Sequence, residues 1–378
     1  DEAIKNLQTR YYIRMDTGTT LRNKDTYMKW YHASLATREQ KYWDRYKRYL
    51  ANDVRLPSQV IDKTDHAATE IMDSLADPQG NDSFSRKGLV IGSVQSGKTS
   101  NYIALMNKAA DSGYKVIILL TGTIEKLRQQ TQMRVDDGFI GSDSKAQVLN
   151  KNTVSVGVGL IEQLPVTPLT TTSKDFNIRE AIKIDGQKGP VVFVIKKNKA
   201  ILQRLETWLR LHNKSPFTGK IEAPLLMIDD EADNASVNTS KEDEDPTIIN
   251  QTIRNILDLF SKSSYVGFTA TPFANIFINP KIDDEDEIDD LFPRDFIYLL
   301  EQPSNYVGPS DMYREDGKYH YMIRNNDDVE GVLPQSHKNG TTPGRLPSTL
   351  KKAIIVFFLS NAIRDIRGED KTHRSMLI

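Results

Sequence analysis

The sequence predicts an α/β protein: a lobe built on a parallel sheet covered by helices, preceded by a mainly helical N-terminal region. Three observations predict it. From Lys87 onward, short apolar runs alternate with helical patterns, the signature of a parallel sheet with helices packed on its faces. Gly92-Ser93-Val94-Gln95-Ser96-Gly97-Lys98-Thr99 is a complete phosphate-binding loop set between an apolar run and a helix, the context that marks a P-loop NTPase. Asp230-Glu231-Ala232-Asp233 follows a further apolar run, at the strand end where open α/β sheets bind ligands.

Bulk composition sets the outer bounds. A chain of 378 residues is long enough for more than one domain or lobe. Its hydrophobic fraction of 38% and charged fraction of 27% are those of a globular protein. The net charge of −1 gives no global basic field of the kind that coats nucleic acid, though it leaves room for a motor that holds a backbone through loops. The absence of cysteine excludes disulfides, thiolate metal sites and a cysteine nucleophile. The longest strongly apolar run, from Ala353 to Leu359, is far too short to span a bilayer. We therefore expect a cytoplasmic protein with no membrane partner. The chain begins at Asp1 without a methionine, which suggests a piece of a longer protein.

Residues 1–84 read as helical and aromatic-rich. Tyr42, Tyr46 and Tyr49 fall on one side of a helix, with basic residues between them. That face either packs on the next domain, the favoured reading, or stacks bases while its cations pair phosphates. Residues 85–280 carry the sheet. Strands are expected at 89–92, 115–120, 191–195, 225–229 and 265–268, and helices near 97–111, 125–133, 199–211 and 248–261. Periodicity fades over 134–189, which reads as an insertion or a set of short strands beside the sheet. The acidic run Asp283 to Asp290 reads as a solvated loop, and residues 281–347, rich in Pro, Gly, Asn, Asp and Tyr, as an irregular connecting region. A helix begins near Ser348, and the segment 348–378 reads as the start of a second lobe.

In the phosphate loop, glycines let backbone N–H groups close around phosphate oxygens, and the following helix adds positive potential. The cofactor-binding set is Gly92, Ser93, Gln95, Ser96, Gly97, Lys98, Thr99 and Ser100. Lys98 reaches the β- and γ-phosphates; Thr99 ligates magnesium. In the acidic motif, Asp230 suits the organisation of magnesium through water, and Glu231 the orientation or deprotonation of the attacking water. A register shifted by one, with Asp229 as the magnesium partner and Asp230 as the base, remains open.

A third element, Thr269-Ala270-Thr271-Pro272, ends another apolar run. With it the chain resembles the superfamily two helicases and translocases, including restriction-enzyme motor subunits, and the resemblance implies a RecA-like first lobe. It also implies ATP and Mg²⁺ as cofactors, and Thr269 and Thr271 as the coupling between nucleotide and nucleic acid, with DNA expected ahead of RNA. Thr121 and Thr123, after the second strand, stand where such motors first touch a nucleic-acid backbone. Lys196 and Lys197 follow the third strand in the same manner. Hydroxyls and amides there suit phosphates without reading bases. For each loop an ordinary turn is an equal alternative.

A closer resemblance is to the bacterial Z-one domain proteins, helicase-like ATPases described as endonucleases of restriction-like, anti-phage systems. It rests on the phosphate loop, on Ile228 to Ser236, on Gly267 to Asn275 and on Leu291 to Phe296, and spans about residues 88–378. His373 to Ile378 looks like the entry strand of that family's second lobe. The resemblance implies an arginine finger from that lobe, so the chain is expected to bind nucleotide weakly and hydrolyse it poorly alone. Companion defence proteins are implied partners. A conformational switch that recruits proteins or a nuclease, without translocation, is the alternative. No Asp…Glu-x-Lys constellation with apolar strand context is present.

Overall fold

A computed structural model describes residues 18–23, 27–93, 97–148, 154–178, 180–236, 247–276, 290–301, 307–326, 328, 332, 336–340, 345–369 and 373–377. It divides into two compact units, Asp1–Tyr306 and Val307–Ile378.

The first unit is organised by an eight-stranded sheet. In chain order its elements are β1 (Thr19–Arg22), α1 (Tyr31–Ser34), α2 (Lys41–Asn52), α3 (Ser58–Ser74), β2 (Phe84–Ile91), α4 (Lys98–Ser112), β3 (Val116–Thr121) and α5 (Glu125–Val135). Then follow α6 (Ser144–Val148), β4 (Thr167–Pro168), β5 (Val191–Lys196), α7 (Lys199–Asn213), β6 (Leu225–Asp230), α8 (Ile248–Asp258), β7 (Lys262–Thr269), α9 (Phe273–Ile276) and β8 (Phe296–Leu299). The strand order is β1-β8-β2-β7-β6-β3-β5-β4. Every pairing is parallel except β1 with β8.

The central strands are buried on both faces, which is why they read as continuous apolar runs. Their side chains alternate between two cores. Ile117, Leu119, Val192, Val194, Leu226 and Ile228 face the side covered by α2, α3 and α4. Val116, Ile118, Leu120, Phe193, Leu225 and Met227 face the side covered by α7 and α8. Each face buries enough aliphatic surface to hold a helix layer, at ~25 cal/mol per Å² of apolar area.

The N-terminal helices belong to the first core. Trp43, Tyr46 and Leu50 of α2 are buried there beside Tyr102 and Ile103 of α4, the packed outcome of the two readings of this face. Its arginine is also internal: Arg45 is fully buried and donates to the carbonyls of Phe139 and, at 3.1 Å, Glu162. Asp111 of α4 fixes the start of α2 by accepting from the N–H groups of Tyr42 and Trp43, both at 2.9 Å. It thereby takes up two donors that a helix N-terminus leaves unsatisfied.

Two strands stand where none is expected. β1 lies in the region read as helical, and β8 in the region read as irregular. Both are four residues long, too short for a period to show, and β8 is a strand because it pairs with both β1 and β2. The segment 134–189 contributes a π-helical turn at Asp136–Ile140, a 3₁₀ turn at Gly157–Leu160 and the two-residue β4 beside β5. Of the acidic run, all but Asp290 lies outside the described residues.

The second unit contains α10 (Pro309–Tyr313), a 3₁₀ turn at His320–Met322 and α11 (Ser348–Ile366). Asp328 caps α11, accepting from the Ser348 hydroxyl at 2.7 Å and the Thr349 N–H at 3.0 Å. A bond from the Thr349 hydroxyl, with these two, holds its carboxyl below the ordinary range. The entry strand expected near the end of the chain is not seen: residues 373–377 take no strand. Among the described residues no helix is long and apolar enough to cross a membrane.

Candidate nucleotide site

Parallel register brings the motifs to one level. Ile91 pairs with Thr269, Asp230 with Phe268, Leu120 with Asp229, and Thr121 with Lys196. The phosphate loop, the Thr269–Thr271 motif, the acidic tetrad and the loops after β3 and β5 therefore leave neighbouring strands at the same edge of the sheet. Gly92 N–H donates to the Thr269 carbonyl at 2.9 Å, fastening the first two motifs by backbone alone.

Gly97 closes the loop in the left-handed region at φ +86°, where glycine carries no Cβ penalty, and α4 starts at the next residue. Gln95 and Ser96 lie outside the described residues. Lys98 Nζ donates to the Gly92 carbonyl at 2.8 Å and the Ser93 carbonyl at 3.0 Å. Burial lowers its pKa, against the pull of Asp230, Asp233 and Glu231. The Thr99 hydroxyl accepts from Arg134 at 3.3 Å.

These residues line a cavity of about 870 Å³, within the range of small-molecule sites. It is lined by Lys98, Thr99, Ser100, Asp230, Glu231 and Asp233, and by Thr269 to Thr271. Tyr46 and Tyr49 of α2, with Arg134 and Asp137, contribute to the rest of its lining. An ammonium, a threonine hydroxyl and a cavity-facing carboxylate at the end of a glycine loop fit a magnesium-bound nucleotide. Thr99 and Asp230 are the groups able to hold the metal.

The acidic residues separate by environment. Asp229 is fully buried; one carboxylate oxygen accepts from Lys197 Nζ at 2.8 Å and the other from the Tyr265 hydroxyl at 2.7 Å. Asp230 faces the cavity, and its pKa is raised to about 6 by burial, then by Glu231 and Asp229. Glu231 is left-handed at φ +59°, uncommon for a residue with a side chain. Asp233 accepts from the hydroxyl of Thr269 at 2.7 Å and from that of Thr271. Burial pushes the Asp233 carboxyl up, but those two bonds outweigh it and hold the pKa below the ordinary range.

A family comparison bears on this geometry. The family model of the type III restriction enzyme, res subunit, matches residues 59–274, more than half of the chain. The chain belongs to the type III restriction enzyme res-subunit family. As a res-subunit member it carries a helicase-like ATPase domain of the superfamily two type, for which the family implies ATP and, usually, magnesium. Among solved structures it is similar to the Sulfolobus solfataricus SWI2/SNF2 ATPase core in complex with dsDNA, at 14% identity and a TM-score of 0.32. That match covers 62% of this chain and 35% of the other, so the chain spans about a third of that structure's length. No curated protein matches the chain.

The loops expected to touch nucleic acid are placed unequally in the res-subunit domain. Thr123 is exposed, whereas Thr121 is buried and its hydroxyl lies 3.4 Å from the carbonyls of Gly122 and Ile195. Lys196 is partly exposed and pairs with Glu125 at 3.0 Å. Lys197 is instead fully buried beneath the acidic tetrad. Its place among four aligned strand ends explains this, since the residue after β5 turns under the end of β6. Arg134 and Asp137 were not among the expected site residues, and Tyr46 and Tyr49, read as a packing or base-stacking face, were not expected at the nucleotide cavity, because these positions depend on a π turn and on helix docking that no local pattern announces.

Proposed function

We propose that this chain is the nucleotide-binding lobe of an ATP-driven nucleic-acid translocase of a restriction-like or anti-phage system, of the Z-one branch, working against a second lobe. DNA is the expected polymer, in keeping with a restriction-enzyme family. Lys98 draws in the β- and γ-phosphates of ATP, leaving the carbonyls of its own loop to do so. Thr99, released from Arg134, and Asp230 would hold magnesium, which would neutralise developing phosphate charge. Asp230 is preferred over Asp229 because both oxygens of Asp229 are already taken. Glu231 orients the attacking water. Gly92, Ser93, Gln95, Ser96, Gly97 and Ser100 complete the phosphate cradle.

The observation that carries the motor reading is the bond of Asp233 to both Thr269 and Thr271. It ties the last residue of the acidic tetrad to the coupling motif, so that movement at the phosphates is felt at the strand-gripping edge. Thr123 and Lys196 are the backbone contacts in this reading; Thr121 and Lys197 act from the interior.

An ATPase assay on the full-length protein with single- and double-stranded DNA and RNA tests the proposal. DNA should raise hydrolysis several-fold, and Glu231→Gln should abolish it while nucleotide binding persists. Hydrolysis indifferent to every nucleic acid would favour a protein-recruiting switch instead.

A further inference from the structure

Lys197 spends all three of its ammonium protons on the acidic turn. Nζ donates to Asp229 Oδ1 at 2.8 Å, to the Asp230 carbonyl at 3.0 Å and to the Glu231 carbonyl at 2.6 Å. An ammonium has three donors and no acceptor, so its capacity is exhausted. Lysine and Asp229 are both fully buried, and a salt bridge in that setting is weak support for stability compared with an apolar pair. Its geometry therefore calls for another reason.

The reason lies in what the ammonium grips. Glu231 holds a left-handed backbone, a conformation strained outside glycine that persists only where surroundings over-determine it. The surroundings are Lys197 on the Glu231 carbonyl, the Ala232 N–H on the Phe268 carbonyl at 3.0 Å, and Asn275 on the Ala232 carbonyl at 3.0 Å. So held, Glu231 sends its carboxylate to Gly122: a Cβ built there would lie 2.7 Å from Oε2. Lys197 also reaches that loop by its own backbone, its N–H donating to the Thr121 and Gly122 carbonyls at 3.3 and 3.4 Å.

We infer that Lys197 is a positioning residue that sets the Glu231 carboxylate and joins it to the Thr121–Thr123 loop, so that a nucleic-acid backbone seated on this loop regulates the water-activating group. The inference rests on the function proposed above. It makes the β5–β3–β6 edge a relay between polymer and nucleotide, in which the Glu231 carboxylate occupies the space that a side chain at residue 122 would take.

The test uses the full-length protein with its second lobe, a fluorescent ATP analogue to count binding-competent sites, and hydrolysis with and without duplex DNA. Lys197→Met/Asp229→Asn removes the grip without leaving a lone buried carboxylate. We expect its kcat per nucleotide-binding site to fall on the order of 10²-fold, as for a displaced reacting group, with analogue affinity unchanged. A purely structural lysine would lower the number of sites and leave kcat per site intact, which overturns the inference. Gly122→Ala provides a second route that leaves Lys197 untouched. The added methyl should push Glu231 aside and abolish DNA stimulation while the analogue still binds. Unchanged stimulation in Gly122→Ala overturns the relay even if the double variant fails to fold. A wild-type full-length protein that hydrolyses no ATP overturns the function and the inference together, whereas an active wild type with equally active variants overturns the inference alone.

Discussion

Asp230 shows how one side chain couples pH, stability and metal binding. Burial and the neighbouring Glu231 and Asp229 lift its pKa to about 6, so the folded protein holds that proton more tightly than the unfolded chain does. Its contribution to stability is therefore full below the unfolded value near pH 4 and is lost as pH rises through about 6. Asp230→Asn should stabilise the nucleotide-free protein above pH 7, on the order of 2 kcal/mol, in urea unfolding at pH 8. The same variant should show little gain at pH 4. Magnesium needs the ionised carboxylate, so metal-dependent nucleotide affinity should fall roughly tenfold per pH unit below 6. Titration of the fluorescent analogue with and without magnesium checks this, and a pH-independent wild type would refute it. The phosphate loop and the Asp-Glu-Ala-Asp tetrad were legible because their chemistry is local in the chain. The role of Lys197 was not, because an ammonium beneath a strand end and one on a surface loop have the same sequence.

At the scale of elements, α2 brings the N-terminal region to the nucleotide cavity. Its rings at Tyr46 and Tyr49 line the cavity, and its start is tied to α4 by Asp111. Asp111→Ala should cost about 1–2 kcal/mol, the usual effect of losing a cap, in chemical denaturation. It should also weaken nucleotide binding, since the ring wall is held through that cap. Unaltered affinity would show that α2 keeps its place without it. The central strands were readable because both faces are buried and each is a run of apolar residues. Their observed ends fall within a few residues of expectation, as with Val191–Lys196 against 191–195. β1 and β8 were unreadable because four residues in each acquire strand identity only by pairing across more than two hundred residues.

For the whole molecule, a net charge of −1 means that any grip on a polymer is made by a few placed cations rather than by a field. Lys196, partly exposed and beside the Thr121–Thr123 loop, is the cation proposed for that role. Lys196→Ala should reduce the slope of log affinity against log salt by about 1 for duplex DNA, measured by fluorescence anisotropy. An unchanged slope would remove Lys196 from the contact surface. Fold class was legible at this scale from the alternation of runs alone, whereas the docking of the N-terminal helices on the sheet required the paired faces to be seen together.

The ladder between β2 and β7 runs in register over eight residues, from Phe84 opposite Lys262 to Ile91 opposite Thr269. Backbone hydrogen bonds thus act as a ruler, fixing the separation between phosphate loop and Thr269 independently of side-chain identity. Side chains at both ends are free to diversify without recalibrating the distance, whereas a one-residue insertion in either strand would misalign every group at that edge.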